Sequence, residues 1–158
     1  MDFLDIEITG KRYIKILIVL IILVIIYLAL TMSSLLIFIS YSLGPNTSVN
    51  DEFINMHIDM LDAKGKMIEI AGWAYKEGDK ITTVNANYVL KHQETGKMYL
   101  MRTKMEENIN LEDPDVKLAG LHAQCLLFGI APGRYDICVL YQNAEEDILA
   151  NTGINVDL

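Results

Sequence analysis

Ile16 to Tyr41 is a run of twenty-six residues without a single charge, and no other stretch constrains the chain as strongly. At 1.5 Å of rise per residue a helix over this run measures roughly 39 Å, against a hydrocarbon core of about 30 Å. It therefore spans a bilayer with tilt, or with its ends among the headgroups. Ile16 to Ile26 is entirely Ile, Leu and Val. Such β-branched stretches form helices poorly in water, but lipid offers the backbone no other partner and forces one. About eighteen Leu, Ile, Val and Phe side chains, at roughly −0.3 to −0.6 kcal/mol each, outweigh the few Ser and Thr. Tyr13 and Tyr41 flank the run where amphipathic rings favour the interface. The expected layout is a tail over 1–14, a transmembrane helix over 15–42, a linker over 43–50 and a folded domain over 51–158.

The basic residues set the direction. Lys11, Arg12 and Lys15 crowd the N-terminal flank, whereas the next base is Lys64. Asp2, Asp5 and Glu7 balance that charge, yet acids contribute little to the positive-inside rule. The tail is therefore expected in the cytoplasm and residues 51–158 outside, in a single-pass protein of the cell membrane. A cleaved signal peptide is the competing reading. Its apolar region is normally about 7–15 residues and ends at a small-residue cleavage site. The run here is too long, so an uncleaved signal-anchor is expected, with the lipid bilayer as first partner. Ala29 and Ser33, with Thr31, Ser34 and Ser40, make a small, weakly polar patch of the kind that lets membrane helices approach closely. Simple tolerance of Ser and Thr in a single span is the alternative, and the favoured one. Pairing with a polytopic membrane protein would make the chain a structural or regulatory subunit.

Gly44-Pro45-Asn46-Thr47-Ser48 reads as a short linker, because Pro and Gly interrupt a helix. Asn46-Thr47-Ser48 also matches the N-glycosylation sequon, which matters only in a eukaryote. About 108 residues follow, enough for one domain with its own core. The net charge of −8 falls on this domain, since the bases and acids of the tail cancel. No Lys/Arg stripe offsets it, so anionic headgroups and nucleic acid are repelled and no nucleic-acid role is expected.

From Phe53 onward the pattern becomes alternation with period two, the mark of half-buried strands. Ile54, Met56, Ile58 and Met60 alternate with Asn55, His57 and Asp59. Met67 to Tyr75 carries Ile68 and Ile70 on its inner face. Trp73 is out of phase with them, so either Gly72 marks a bulge or the indole faces outward. Ile81 to His92 places Val84, Ala86, Tyr88 and Leu90 opposite Thr83, Asn85, Asn87 and Lys91. Glu94-Thr95-Gly96-Lys97 closes a hairpin into Met98–Met105. Glu106 to Asp115 reads as an acidic loop. Leu121 to Leu127, then Tyr135, Ile137, Val139 and Tyr141, and lastly Ile148 to Leu158 complete the series. About seven strands with regular turn signals predict an all-β, antiparallel, immunoglobulin-like β-sandwich.

Ile130-Ala131-Pro132-Gly133-Arg134-Tyr135 resembles the corner of immunoglobulin-like and fibronectin-III-like domains, in which a Tyr hydroxyl bonds back to upstream backbone. The resemblance assigns that structural role to Tyr135. A wider resemblance rests on Gly72-Trp73-Ala74, the Asn87–His92 and Thr95–Leu100 hairpin, Asp115-Val116, Gly120-Leu121 and the Pro-Gly-x-Tyr corner. Together these look like a module of Gram-positive-type bacterial cell-envelope membrane proteins, of the kind that accompanies surface-polysaccharide glycosyltransferase or export proteins. The family pattern has an Arg two before the Asp-Val and a Phe after the later Gly, where this chain has Asp113 and Leu121. The resemblance implies a location and a fold.

Catalytic chemistry finds little support. No Ser follows Ser48, so no nucleophile elbow or Ser-His-Asp arrangement exists outside the span. His57, His92 and His122 are scattered over three strands. His57-x-Asp59 is a weak zinc or proton-relay signal against a plain polar face. Glu106, Glu107, Glu112, Asp113 and Asp115 lack the spacing of a calcium loop. No enzyme, no cofactor and no metal are expected. Cys125 and Cys138 fall on opposite strand faces, which argues against a bridge between them. The sharper hypothesis is sugar binding. Trp73, Tyr75, Tyr88 and Tyr99 are candidates to stack on pyranose rings, against the alternative of core burial. Asn85 and Asn87 are candidates to add hydrogen bonds. The expected function is a non-enzymatic, extracytoplasmic binding or scaffolding module of the cell envelope, with a cell-surface glycan or a membrane protein as the alternatives for its partner.

Overall fold

The structure is a computed structural model that describes residues 10–36, 38–50, 54–108, 111 and 116–158. The tail over 1–9, and Glu112, Asp113 and Asp115 of the acidic stretch, lie outside the described residues, as do the side chains of Ser33 and Ser34. Two compact units divide near residue 35.

The first unit is one helix, α1, over Gly10–Leu36. Its segment Tyr13–Thr31 has a mean hydropathy of 3.0, which makes it long and apolar enough to cross a membrane. The Thr31 hydroxyl donates to the carbonyls of Tyr27 and Leu28, both at 3.0 Å, so its polar group is satisfied within the helix.

The helix stops short of its expected end at 42. Phe38 is buried in the core of the second unit, and Ile39–Tyr41 form a strand, β1. Hydropathy counts the water a side chain escapes and does not say what replaces it, so the apolar run continues past the helix into the core of the second unit. The expected linker is also structured, because Thr47–Val49 form a second strand, β2.

The second unit is mainly β and continues with β3 (Asn55–Lys64), β4 (Met67–Tyr75), β5 (Asn85–His92), β6 (Met98–Leu100), β7 (Thr103–Glu106), β8 (Gly120–Leu126), β9 (Arg134–Gln142) and β10 (Asp147–Asp157). The strands form a six-stranded sheet in the order β1-β6-β5-β9-β10-β2 and a four-stranded sheet in the order β3-β4-β8-β7. All pairs are antiparallel except β10 with β2. β1 and β2 therefore close opposite edges of the larger sheet, joined by residues 42–46. The described residues form ten strands, against an expectation of about seven. Besides β1 and β2, the expected strand Met98–Met105 is divided at Met101 and Arg102, so that β6 lies in one sheet and β7 in the other. The expected start of β5 at Ile81 is a 3-10 turn over Ile81–Thr83.

Alternation places Ile68, Ile70 and Ala74 of β4, Ala86, Tyr88 and Leu90 of β5, and Tyr135, Ile137, Val139 and Tyr141 of β9 in one buried cluster shared by both sheets. In β3 the alternation breaks. The register skips Asp59 between Ile58 and Met60, and this bulge turns Met60 outward and Leu61 inward, against the uniform alternation of the sequence.

Three tyrosines are wholly buried, and their hydroxyls fare differently. Tyr135 donates to the Ala131 carbonyl at 2.7 Å, four residues upstream. Tyr141 accepts the Lys76 N–H at 3.3 Å. Tyr88 has no hydrogen-bond partner. Leaving a buried polar group unpaired costs about 1–3 kcal/mol.

The larger sheet is apolar on its far face as well. Val89, Cys138, Leu140 and Leu149 are buried there in a second cluster, against which Tyr41 packs. Cys138 faces away from the main core, yet it is buried. Cys125 sits in the main core, and no disulfide joins the two. Burial pushes the Cys125 thiol up, only partly opposed by the Arg102 backbone. Iodoacetamide is expected to leave both thiols untouched in the folded chain and to label both once urea unfolds it. Rapid labelling of the native chain, read by mass spectrometry, would contradict this burial.

Candidate functional site

β4 presents Glu69, Ala71 and Trp73 on the face of the smaller sheet that points away from the core, because Ile68, Ile70, Gly72 and Ala74 take the inner positions, while Tyr75 at the end of the strand is half-buried and packs against the core as well. Trp73 therefore faces outward, half-buried. Its ring stacks on that of Tyr75 with centroids 5.6 Å apart and planes 28° apart. His57 is the cross-strand partner of Trp73, with its ring centroid 6.1 Å away. Tyr75, Trp73 and His57 thus form one line of rings, bent at Trp73 where it passes from along the strand to across it. Their spacing follows from side chains two apart on one strand and directly opposite on the next.

Beside this line lies a cavity of ≈ 190 Å³, lined by Asp59, Gly72, Glu106, Glu107, Asn108 and Gly120 among others. Two local features create it. The bulge in β3 displaces Asp59, and the chain leaving β7 folds over β8. There the Asn108 N–H donates to the Lys117 carbonyl at 2.8 Å, and its side-chain amide donates to the Asp59 carboxylate at 3.4 Å. Gly120 permits this close approach: a Cβ there would stand 2.7 Å from the Glu106 carbonyl oxygen and 3.1 Å from the Asn108 Cβ.

The cavity is acidic but not bare of bases. His57 Nε2 lies 3.8 Å from Asp59, Lys104 lies 3.6 Å from Glu106, and Lys117 pairs with Glu107. Further along the same face His122 Nε2 meets Glu69 at 2.9 Å. Chemically the arrangement offers an aromatic surface for the C–H face of a ring, with carboxylates and an amide to take its polar substituents. Among the described residues, no group of three His, Cys, Asp or Glu side chains is placed to hold a metal ion.

Of the residues singled out in the sequence, Trp73 and Tyr75 come together. Asn85 and Asn87 do not join them. They lie on β5, in the other sheet, on its far side from the core. There Asn87 donates to Asn85 at 3.1 Å, Asn85 donates to Gln142 at 3.3 Å, and the Asn87 oxygen accepts the Thr103 N–H at 3.4 Å. Tyr99 is half-buried with its ring edge-on to Phe38 and Tyr135, and Tyr88 points into the core. The residues that sequence reasoning missed as a group are Asp59, Glu106, Glu107 and Asn108. The His57-x-Asp59 pair and the acids Glu106 and Glu107 were visible separately, with nothing in the sequence to join them. Compared with protein-family models, with curated proteins and with solved structures, the chain matches none of them.

Proposed function

We propose that this is a non-enzymatic, single-pass protein of the cell envelope. In this reading α1 anchors it with residues 1–14 in the cytoplasm, and its outer domain is an immunoglobulin-like β-sandwich that binds a cell-surface glycan. The observation that carries the reading is the half-buried, outward Trp73 between the rings of Tyr75 and His57, beside a cavity of carboxylates and an amide. The net charge of −8 and the acids of the cavity favour a neutral glycan over an anionic one. The basic flank Lys11, Arg12 and Lys15 supports the orientation.

Trp73 is the only Trp in the chain, so its fluorescence reports directly on the site. Full-length protein in nanodiscs, titrated with tetramers of glucose, galactose and N-acetylglucosamine, is expected to change its emission with at least one of them. Trp73→Ala is expected to weaken that tetramer, measured by calorimetry, about ten-fold or more, as removal of an aromatic anchor does. Because Trp73 lies off the core, thermal stability should fall by no more than about 1 kcal/mol. Emission unmoved by all three tetramers would refute glycan binding.

A further inference from the structure

The outer face of the smaller sheet carries more apolar surface than Trp73 alone. Had β3 kept its alternation, Met60 would share the inner face with Met56 and Ile58, which pack against the core. The skip at Asp59 turns Met60 outward instead, opposite Ala71, and leaves it 41% exposed. Ala71 is itself a wall of the cavity and stands two positions before Trp73 on β4. Met60 is therefore a diagonal neighbour of Trp73, and such neighbours lie about 7–8 Å apart, within reach of long side chains. Single apolar side chains scattered over a surface are ordinary. Trp73, Ala71 and Met60 are not scattered, because they share one face of two adjacent strands. Polar groups border them. Asp59, beside Met60 in the chain, is a wall of the cavity, and His122, the partner of Ala71 on β8, meets Glu69 at 2.9 Å. Bulges recur beside active sites, where they re-aim a side chain.

We infer, on the glycan reading above, that Met60 is a second ligand contact and that the ligand is a chain of at least two joined sugars lying along β4. One ring stacks on Trp73, and the next sets its C–H face on Met60 and Ala71. Asp59 and Glu69 only accept hydrogen bonds, so they take the hydroxyls that project from the rings on either side of this strip. The unbranched thioether adapts its shape to an irregular apolar surface. A lone pyranose is too small to cover Trp73 and Met60 together.

Met60→Ala removes the second contact and leaves Trp73 in place. In full-length protein in nanodiscs, the tetramer of glucose, galactose or N-acetylglucosamine that binds best is expected to bind Met60→Ala about five-fold more weakly by calorimetry. Met60→Leu keeps apolar bulk of similar volume and is expected to bind within about two-fold of the wild type. Both variants should melt with the wild type, since Met60 lies off the core. A Met60→Ala variant that binds as the wild type does overturns the inference, as does a Met60→Leu variant weakened equally with Met60→Ala. A melting temperature that falls along with the affinity assigns Met60 a structural role and overturns it too. If binding is untouched in Met60→Ala but lost in Trp73→Ala, the glycan reading survives. If no tetramer binds the wild type, both fall together.

Discussion

A chain that begins at Asp51 is expected to aggregate or to melt far below the full-length protein. The truncation removes β1 and β2, and with them both edge strands of the six-stranded sheet. The edges of β6 and β10 are then exposed as templates for intermolecular pairing. Phe38 leaves the main core and Tyr41 leaves the far-side cluster. Burying one large apolar side chain is worth about 1.5–3 kcal/mol. Two of them, with six residues of ladder, approach the 5–15 kcal/mol that holds a typical domain together. A chain beginning at Phe38 should retain a cooperative transition by circular dichroism and run as a discrete species in size exclusion. Equal melting temperatures for the two chains would show that β1 and β2 are ornamental.

Alkali is expected to unfold the domain in one sharp transition. Burial raises the phenols of Tyr88, Tyr135 and Tyr141 above their ordinary range, with the Asp59, Tyr99 and Asp79 charges adding to it in turn. The ordinary value is about 10. Above it the unfolded chain releases phenolic protons that the folded chain retains, so the unfolded state binds fewer protons and stability falls as pH rises. Each such tyrosine costs about 1.4 kcal/mol per pH unit while its folded phenol stays protonated. Below pH 10 these groups contribute no pH dependence. Tyrosinate absorbance should therefore rise together with loss of the β signal, in one transition. Tyrosinate forming near its ordinary pH with the sheets intact would contradict the burial of these rings.

Much of this architecture was legible from periodicity. The faces of β4, β5 and β9 follow from alternation of two, and the Pro132-Gly133-x-Tyr135 corner marked a bond that the Tyr135 hydroxyl makes. The losses have physical causes. An apolar run has no internal sign of where lipid gives way to protein, so Phe38 and β1 were counted with the helix. β2 is three residues of Thr, Ser and Val, too short for a period to register. Parity fixes which face of a strand a residue takes, but not which sheet holds the strand, and that separated Asn85 and Asn87 from Trp73. The cavity depends on a bulge at Asp59 and on Asn108 reaching it from 49 positions away, and no local window contains both.

The pairing of Thr47–Val49 with Asp147–Leu149 also bears on how the protein is made. About 100 residues separate the partners, and translation adds about 5–20 residues per second. β2 therefore waits roughly 5–20 s for the strand it lies against. During that interval the nascent larger sheet has an open margin, and that margin closes only once Asp147–Leu149 has been made.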